Sequence, residues 1–361
     1  MLAGVLTCAL CPACRAALDA AFRCAACDVS YPQLGSARLL LREPDKQVAR
    51  WRQQLGRLLW QASESITSLA GHMGEASLRE PTQRRLRALA GSIAAQADDL
   101  VRVLQPVVGE PLPPEASVGL PRGAGDYLPY LFRDWAWSEG QDEENRRSLA
   151  VVRRVTGQKA LGKMLVLGAG GCRLAYDLHL HAGATETVAI DIDPILLSVA
   201  AAVIRGQPVS VTECSVNAPE VEPVSHRWTL AAPEGALAEE VFHLVWADAT
   251  DPPFTKQSFD TVVTPWFIDQ VPSDLPAFIR RLCALLRPGG RWINHGPLIY
   301  RPDALPVTHW LTREEIFDVA GSAGFSIERW ETLSQPCTVS PLTGRGLIEN
   351  VLTFEAQLRP G

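Results

Sequence analysis

No apolar run in this 361-residue chain is long enough to span a bilayer. The apolar opening, Met1 to Leu10, lacks the basic residues that mark a signal segment, and it is expected to form a strand instead. No segment repeats. Positive charge is not in excess: the formal net charge of −6 argues against a general nucleic-acid binder. The arginine-rich stretch from Arg79 to Arg102 reads as a solvated helix face. Cysteine is sparse beyond residue 27, where Cys172, Cys214, Cys283 and Cys337 are scattered. That scatter excludes a disulfide scaffold and suits a reduced, cytoplasmic protein with one metal site.

The metal site would lie in the opening. Cys11-Pro-Ala-Cys14 and Cys24-Ala-Ala-Cys27 are two Cys-x-x-Cys knuckles close together. Each tight turn offers two thiolates, and four thiolates suit tetrahedral zinc. Cys8 forms a third such pair with Cys11, so the ligand set is either Cys11, Cys14, Cys24 and Cys27 or one that admits Cys8. Residues 1–44 are expected to form a zinc ribbon whose last strand is Arg38 to Leu41, ended by Pro44.

Residues 45–125 are expected to be a helical segment and linker. Trp51, Leu55, Leu58, Leu59 and Ile66 recur at helical spacing, as do Leu86, Leu89, Ile93, Leu100 and Leu104. Pro81 marks the start of the second helix. Prolines and glycines crowd 109–125, as in an extended linker.

From 126 to 361 strands alternate with helices. Lys163–Gly168, Thr187–Asp191, Phe242–Trp246, Phe259–Thr264 and Arg291–Asn294 read as buried strands. This predicts an α/β fold, a parallel sheet with helices on both faces. Phe325–Trp330 and Asn350–Phe354 follow with no clear helix between them, which predicts an antiparallel hairpin at one edge. The long connection at 206–241 is either a lid or an extra hairpin.

Gly168-Ala-Gly-Gly-Cys-Arg173 follows the first of these strands and opens a helix. Such glycines admit a ligand close to the backbone, and a helix N-terminus favours an anionic group. The dinucleotide fingerprint is incomplete, because Arg173 stands where a third glycine belongs. Asp191 ends the next strand, where a carboxylate accepts ribose hydroxyls. Asp248, followed by Ala249, ends the third strand and either accepts from an adenine amino group or shapes a turn. Leu285-Leu-Arg-Pro-Gly-Gly290 is expected to close a helix before the fifth strand.

In this order the motifs resemble the class I S-adenosylmethionine-dependent methyltransferases, over about 160–357. The resemblance implies a Rossmann-like seven-stranded sheet with its last strand antiparallel. S-adenosylmethionine would lie across the strand carboxyl ends, near Gly168, Gly170, Arg173, Asp191, Asp248 and Ala249. A nicotinamide enzyme is the nearest rival, disfavoured by the missing glycine and the Arg-Pro-Gly-Gly turn.

A narrower resemblance rests on Phe132-Arg-Asp-Trp135 with Ser138-Glu-Gly140 and Glu144. It continues through Trp266-Phe-Ile-Asp269, Trp292-Ile-Asn-His-Gly-Pro-Leu-Ile-Tyr300, Leu311–Ile316 and Ala323-Gly-Phe325. Over about 130–357 the chain resembles the carnosine N-methyltransferase family. That resemblance implies N-methylation of an imidazole nitrogen in a histidine-containing small molecule or peptide. Arg133 would hold the cofactor carboxylate, and Asp269 would face the substrate imidazole. Asp269 alternatively caps a helix before Pro272 and Ser273. Tyr300 and Arg301 fall at the substrate pocket, where the family places a histidine at the position of Arg301. Thr343-Gly-Arg-Gly-Leu-Ile348 has no tyrosine where the family has several. His295 either compensates in catalysis or is structural.

The ribbon resembles the small zinc-ribbon activator subunit of tRNA and translation-factor methyltransferases, and Tyr31-Pro32 belongs to that likeness. A protein partner docked through the ribbon is a further expectation. Two other readings stay open. One is a methyltransferase for another nitrogen or oxygen acceptor, suggested by Arg301. The other is a non-catalytic ribbon module on a degenerate fold, suggested by Cys172.

Overall fold

The computed structural model describes residues 5–113, 124–137, 142–215, 223–271, 274–302 and 305–359. Most of the expected linker, the stretch Ser138-Glu-Gly140 and the Pro272-Ser273 pair lie outside the described residues.

The ribbon opens with a short 3-10 turn, Val5–Cys8, followed by β1 (Arg23–Cys24), β2 (Val29–Ser30), β3 (Gln33–Leu34) and β4 (Ala37–Leu40). Two long helices follow, α1 (Pro44–Met73) and α2 (Glu80–Val108), then α3 (Ala124–Trp135) and α4 (Glu143–Thr156). The alternating region runs β5 (Gly162–Leu167), α5 (Arg173–His181), β6 (Ala184–Asp191) and α6 (Pro194–Ile204). It continues through β7 (Val209–Cys214), β8 (Ser225–Leu230), β9 (Phe242–Ala247) and β10 (Phe259–Pro265). Last come α7 (Leu275–Leu285), β11 (Leu286–Gly296), α8 (Arg313–Ser322), β12 (Phe325–Cys337) and β13 (Leu347–Leu358).

One nine-stranded sheet organises the molecule, in the order β12-β13-β11-β10-β5-β6-β9-β4-β3. β5, β6, β9, β10 and β11 are mutually parallel where they pair, and β13 is antiparallel to β11. Numbered among themselves, the seven strands from β5 onward without the β7–β8 pair give 3-2-1-4-5-7-6. This is the expected class I methyltransferase sheet, with β12 and β13 as its edge hairpin. The central strands are apolar on both faces because helices cover both, as in β9, where every residue is buried. Chain direction reverses around β5, which has β6 on one side and β10 on the other. That switch point opens a crevice at the strand carboxyl ends.

The other two strands of the sheet belong to the ribbon. β4 pairs in parallel with β9, from Ala37 opposite Leu244 to Leu40 opposite Ala247. The expected boundary at residue 44 therefore follows a strand of the central sheet. Leu39 and Leu40 enter the cores on opposite faces and are buried. Trp51 of α1 packs on Trp246 of β9 at 5.4 Å between ring centroids.

Two expectations need correction, and a third, open between a lid and an extra hairpin, is decided. The opening segment is not a strand: Val5–Cys8 is helical, and its neighbours bond to the loop after β9 instead. Leu10 N donates to the Pro253 carbonyl at 2.7 Å, and Thr255 N to the Cys8 carbonyl at 2.9 Å. The Arg-Pro-Gly-Gly turn lies within β11, with Gly289 at positive φ, so the helix ends before it. The insertion at 206–241 contains the antiparallel hairpin β7–β8. It rests on α2, where fully buried Asp99 accepts from Thr212 N at 2.9 Å, Thr212 Oγ1 at 2.7 Å and Arg227 at 2.8 Å. Among the described residues no helix is long and apolar enough to cross a membrane.

Because β4 is part of the central sheet, the ribbon and the rest of that sheet are expected to unfold together. Leu39→Ala should cost about 2–5 kcal/mol and lower the midpoint of a single denaturation transition. A separate early transition, monitored by circular dichroism, would contradict this.

Candidate functional site

The loop after β5 places the backbone at the switch point. Gly168 and Gly170 have φ of +67° and +55°. A Cβ on Gly170 would meet nothing within 4 Å, so this turn faces open space. Gly170 N donates to Asp191 Oδ2 at 2.7 Å, and Asp191 Oδ1 accepts from Ile192 N at 2.7 Å and Asp193 N at 2.9 Å. Burial raises the Asp191 pKa, and those three N–H donors oppose the rise. The carboxylate and the glycine loop are thus one unit at the ends of β5 and β6.

Around this unit the expected residues divide. Asp248 is exposed, and its Oδ1 closes a turn by accepting from Thr250 N at 2.8 Å and Thr250 Oγ1 at 2.6 Å. Ala249 beside it is buried. Arg173 is buried with its donors engaged by protein. Its Nε donates to Asp177 Oδ1 at 2.9 Å and Nη1 to the Asp134 carbonyl at 2.8 Å, and it pairs with Asp142. Arg173 therefore ties α5 to the ends of α3 and α4 rather than reaching into the crevice. Arg133 pairs with Asp134 at 2.7 Å and lies over the Trp266 ring, 5.1 Å from its centroid. Cys172 holds a left-handed φ of +65° and is buried at the head of α5.

The second wall is the turn after β10. Trp266 has φ of +45°, a strained value for an indole-bearing residue. Its backbone N donates to the His295 carbonyl at 2.9 Å, and its Nε1 donates to Glu349 Oε2 at 2.8 Å. Gly296 is required beside it, since a Cβ there would come within 2.7 Å of the Trp266 backbone. Phe267 then covers Gly168, and the chain turns through a 3-10 segment, Ile268–Gln270.

That segment carries Asp269, which is 3% exposed. Its Oδ2 accepts from Ile299 N at 3.0 Å, which anchors it to the loop after β11. Its Oδ1 is buried with no hydrogen-bond partner. Burial pushes the Asp269 pKa up to about 6, opposed by Ile299 N and the neighbouring Gln270 side chain and aided by Glu349. The bond to Ile299 is not that of a helix cap.

His295 is fully buried in β11, edge-on to Trp266 at 4.8 Å. Its Nδ1 bonds Thr353 Oγ1 at 2.8 Å, and its Nε2 has no partner. Burial and the charge of Arg133 lower its pKa to about 3. Both causes favour the neutral ring, which has one N–H and one lone-pair nitrogen. The Tyr300 hydroxyl donates to the Leu311 carbonyl at 2.9 Å, and the ring stacks on Trp310. Arg301 follows, half-buried. Sequence reasoning missed Glu349 and Thr353. Both lie in β13, where Asn350, Glu355 and Gln357 are polar as well, so polarity along the strand did not single them out.

The four knuckle cysteines converge, with their sulfurs all within 4.8 Å of one another. Cys11 and Cys27 are 3.9 Å apart, and Cys14 and Cys24 are 3.5 Å apart. A tetrahedron with Zn–S of about 2.3 Å has sulfur separations near 3.8 Å, so the donor set fits zinc. Cys8 lies outside this group, near Thr255 and Ser258. The Tyr31 hydroxyl sits 3.1 Å from Cys11 Sγ.

The model of the family described as carnosine N-methyltransferase matches residues 214–338. Over that stretch the chain is similar to this family. The match spans less than half of the chain. It covers Asp248, Asp269, His295, Tyr300 and Arg301, and stops short of the glycine loop, Asp191 and Glu349. No curated protein matches the chain. Solved structures similar to it include a phosphoethanolamine N-methyltransferase 2 from Haemonchus contortus in complex with S-adenosylmethionine. That likeness has 14% identity over 70% of this chain and 62% of the other, with a TM-score of 0.43. A chain from the Haloferax volcanii complex of the Trm112 methyltransferase activator has 12% identity over 63% of this chain and 97% of the other, at a TM-score of 0.40. A methyltransferase from Methanosarcina mazei has 15% identity, 56% and 94% coverage, and a TM-score of 0.38. The strand order of the chain itself carries the fold assignment.

A carboxylate whose folded pKa is about 6, against 3.8 when free, adds stability while protonated and loses it as pH rises between those values. Asp269→Asn should flatten that fall and raise stability at pH 7 by up to about 3 kcal/mol. Denaturation of both proteins from pH 4 to 7 checks this. A variant that is less stable at pH 7 would contradict it.

Proposed function

We propose that the protein transfers a methyl group from S-adenosylmethionine to an imidazole nitrogen of a histidine-containing small molecule or peptide. The observation that carries this reading is the buried, unpartnered Oδ1 of Asp269. Neutral imidazole has one N–H donor and one lone-pair nitrogen. An N–H bonded to Oδ1 fixes the tautomer and turns the lone pair away from the carboxylate. The ring becomes cationic as it is methylated, and the ionised Asp269 offsets that charge in a site with little water. Holding the ring in line supplies much of the acceleration.

S-adenosylmethionine, when bound, supplies an electrophilic methyl group. The open glycine turn suits it, because Gly170 presents bare backbone to empty space. Gly168 and Gly170 would lie against its methionine part, and Arg133 would hold its carboxylate. Asp191 would take the ribose hydroxyls, and Asp248 with Ala249 the adenine. Asp191 keeps acceptor capacity for this, since an ionised carboxylate has about four lone-pair sites and backbone donors use three.

Arg301 and the tyrosine-free stretch 343–348 separate this pocket from that expected of the carnosine family. They favour a different histidine derivative. A second reading, an acceptor bearing a carboxylate or phosphate opposite Arg301, rests on that residue. Zinc held by Cys11, Cys14, Cys24 and Cys27 would have no open coordination position, so its part is to brace the ribbon.

Incubation with methyl-labelled S-adenosylmethionine and acceptors with and without imidazole, read by mass spectrometry, tests the reading. Methylation should require imidazole and fall below pH about 6 as Asp269 protonates. Asp269→Ala should lower kcat/KM about 100-fold or more. Asp191→Ala should chiefly weaken cofactor binding. Unimpaired transfer in both variants would overturn the proposal. Removing zinc with a chelator should lower thermal stability more than it slows transfer by the protein still folded. A large loss of rate with folding intact would instead place the ribbon at the active site.

A further inference from the structure

Glu349 has no part in the roles above, yet it is 7% exposed and bonded to the turn that carries Asp269. It lies in β13 opposite Gln335 of β12. Its Oε2 accepts from the indole N–H of Trp266 at 2.8 Å. Trp266 is where the turn carrying Asp269 begins. Three features fix that residue: a left-handed φ of +45°, the bond from its N to the His295 carbonyl at 2.9 Å, and the close approach of Gly296. One face of its ring lies against Arg133 at 5.1 Å, and His295 meets it edge-on at 4.8 Å. A strained residue holds such a conformation only when its surroundings over-determine it. Of these restraints the bond to Glu349 is the one that reaches across from the edge hairpin, and hydrogen bonds to a carboxylate are the stronger kind.

We propose that Glu349 is a positioning residue for methyl transfer: through the Trp266 indole it sets the turn that presents Asp269 to the acceptor. The inference rests on the reading of Asp269 as the acceptor-holding group. Phe267, next in the turn, covers Gly168, so the same turn meets the cofactor loop on one side and the acceptor on the other. Loss of the Glu349 bond frees the indole and lets Asp269 drift, while the bonds joining Asp191 to the glycine loop remain. The acceptor side therefore loses order before the cofactor side does.

The test compares Glu349→Gln, Glu349→Leu, Trp266→Phe and the Leu/Phe double variant in the full chain. Two readouts are needed: steady-state kinetics with an imidazole acceptor, and calorimetric titration with S-adenosylmethionine. Glutamine keeps an acceptor oxygen for the indole, so it should restore most of the activity that leucine loses. Leucine and the Trp266→Phe change should each lower acceptor kcat/KM about 10- to 100-fold, with cofactor affinity held within about threefold. The double variant should be no worse than either single one, as expected of residues that act through one bond. Additive losses, failure of glutamine to rescue, or parallel loss of cofactor binding would overturn the inference. Wild-type protein that methylates no imidazole would sink the functional reading itself. Wild-type activity unaffected by Glu349→Leu would sink the positioning role alone.

Discussion

Keeping a carboxylate oxygen out of water with no partner costs free energy, and the site is organised to hold one there. Asp269 Oδ1 is that atom. The cost is visible in the raised pKa of the group, for which burial is the largest cause. It persists because the turn is gripped from several sides: by Ile299 N on Asp269, by His295 and Glu349 on Trp266, and by Phe267 against the glycine loop. A group held in a costly state by its surroundings is a natural place to look for a ligand that relieves the cost. An imidazole N–H does so with one hydrogen bond.

The ribbon bears on this crevice from the far side of the sheet. By pairing with β9 it covers what would be an exposed parallel edge, and unpaired edges invite association. It also reaches the loop after β9, where Arg15 donates to the Pro252 carbonyl at 2.9 Å and Leu10 to Pro253 at 2.7 Å. That loop begins at Asp248. The ribbon therefore supports the adenine end of the proposed cofactor site.

Much of the architecture was legible because buried parallel strands write themselves as short apolar runs. Those runs gave five central strands and the edge hairpin. The cysteine spacing likewise gave the knuckles. The pairing of β4 with β9 was hidden, because a strand's sequence reveals that it has an apolar side but not which neighbour it takes. Arg173 read as a cofactor residue by its position after the glycine loop. Its partner Asp177 lies one turn on in α5, but Asp142 precedes α4 and Asp134 lies at the end of α3, and spacing along the chain does not reveal such a junction. Glu349 was hidden for a related reason: its partner Trp266 is far away in sequence and meets it only once β11 and β13 pair.

The central claim is that Asp269 binds the N–H of a neutral imidazole. It is tested most directly by nitrogen NMR of a labelled imidazole compound titrated into the protein with S-adenosylhomocysteine present. Above pH about 6, where Asp269 is ionised, the account predicts one bound tautomer. One nitrogen should keep its proton and the other its lone pair, with binding lost in Asp269→Asn. Bound imidazole that stays a fast-exchanging mixture of tautomers, or binds the variant equally well, would contradict it.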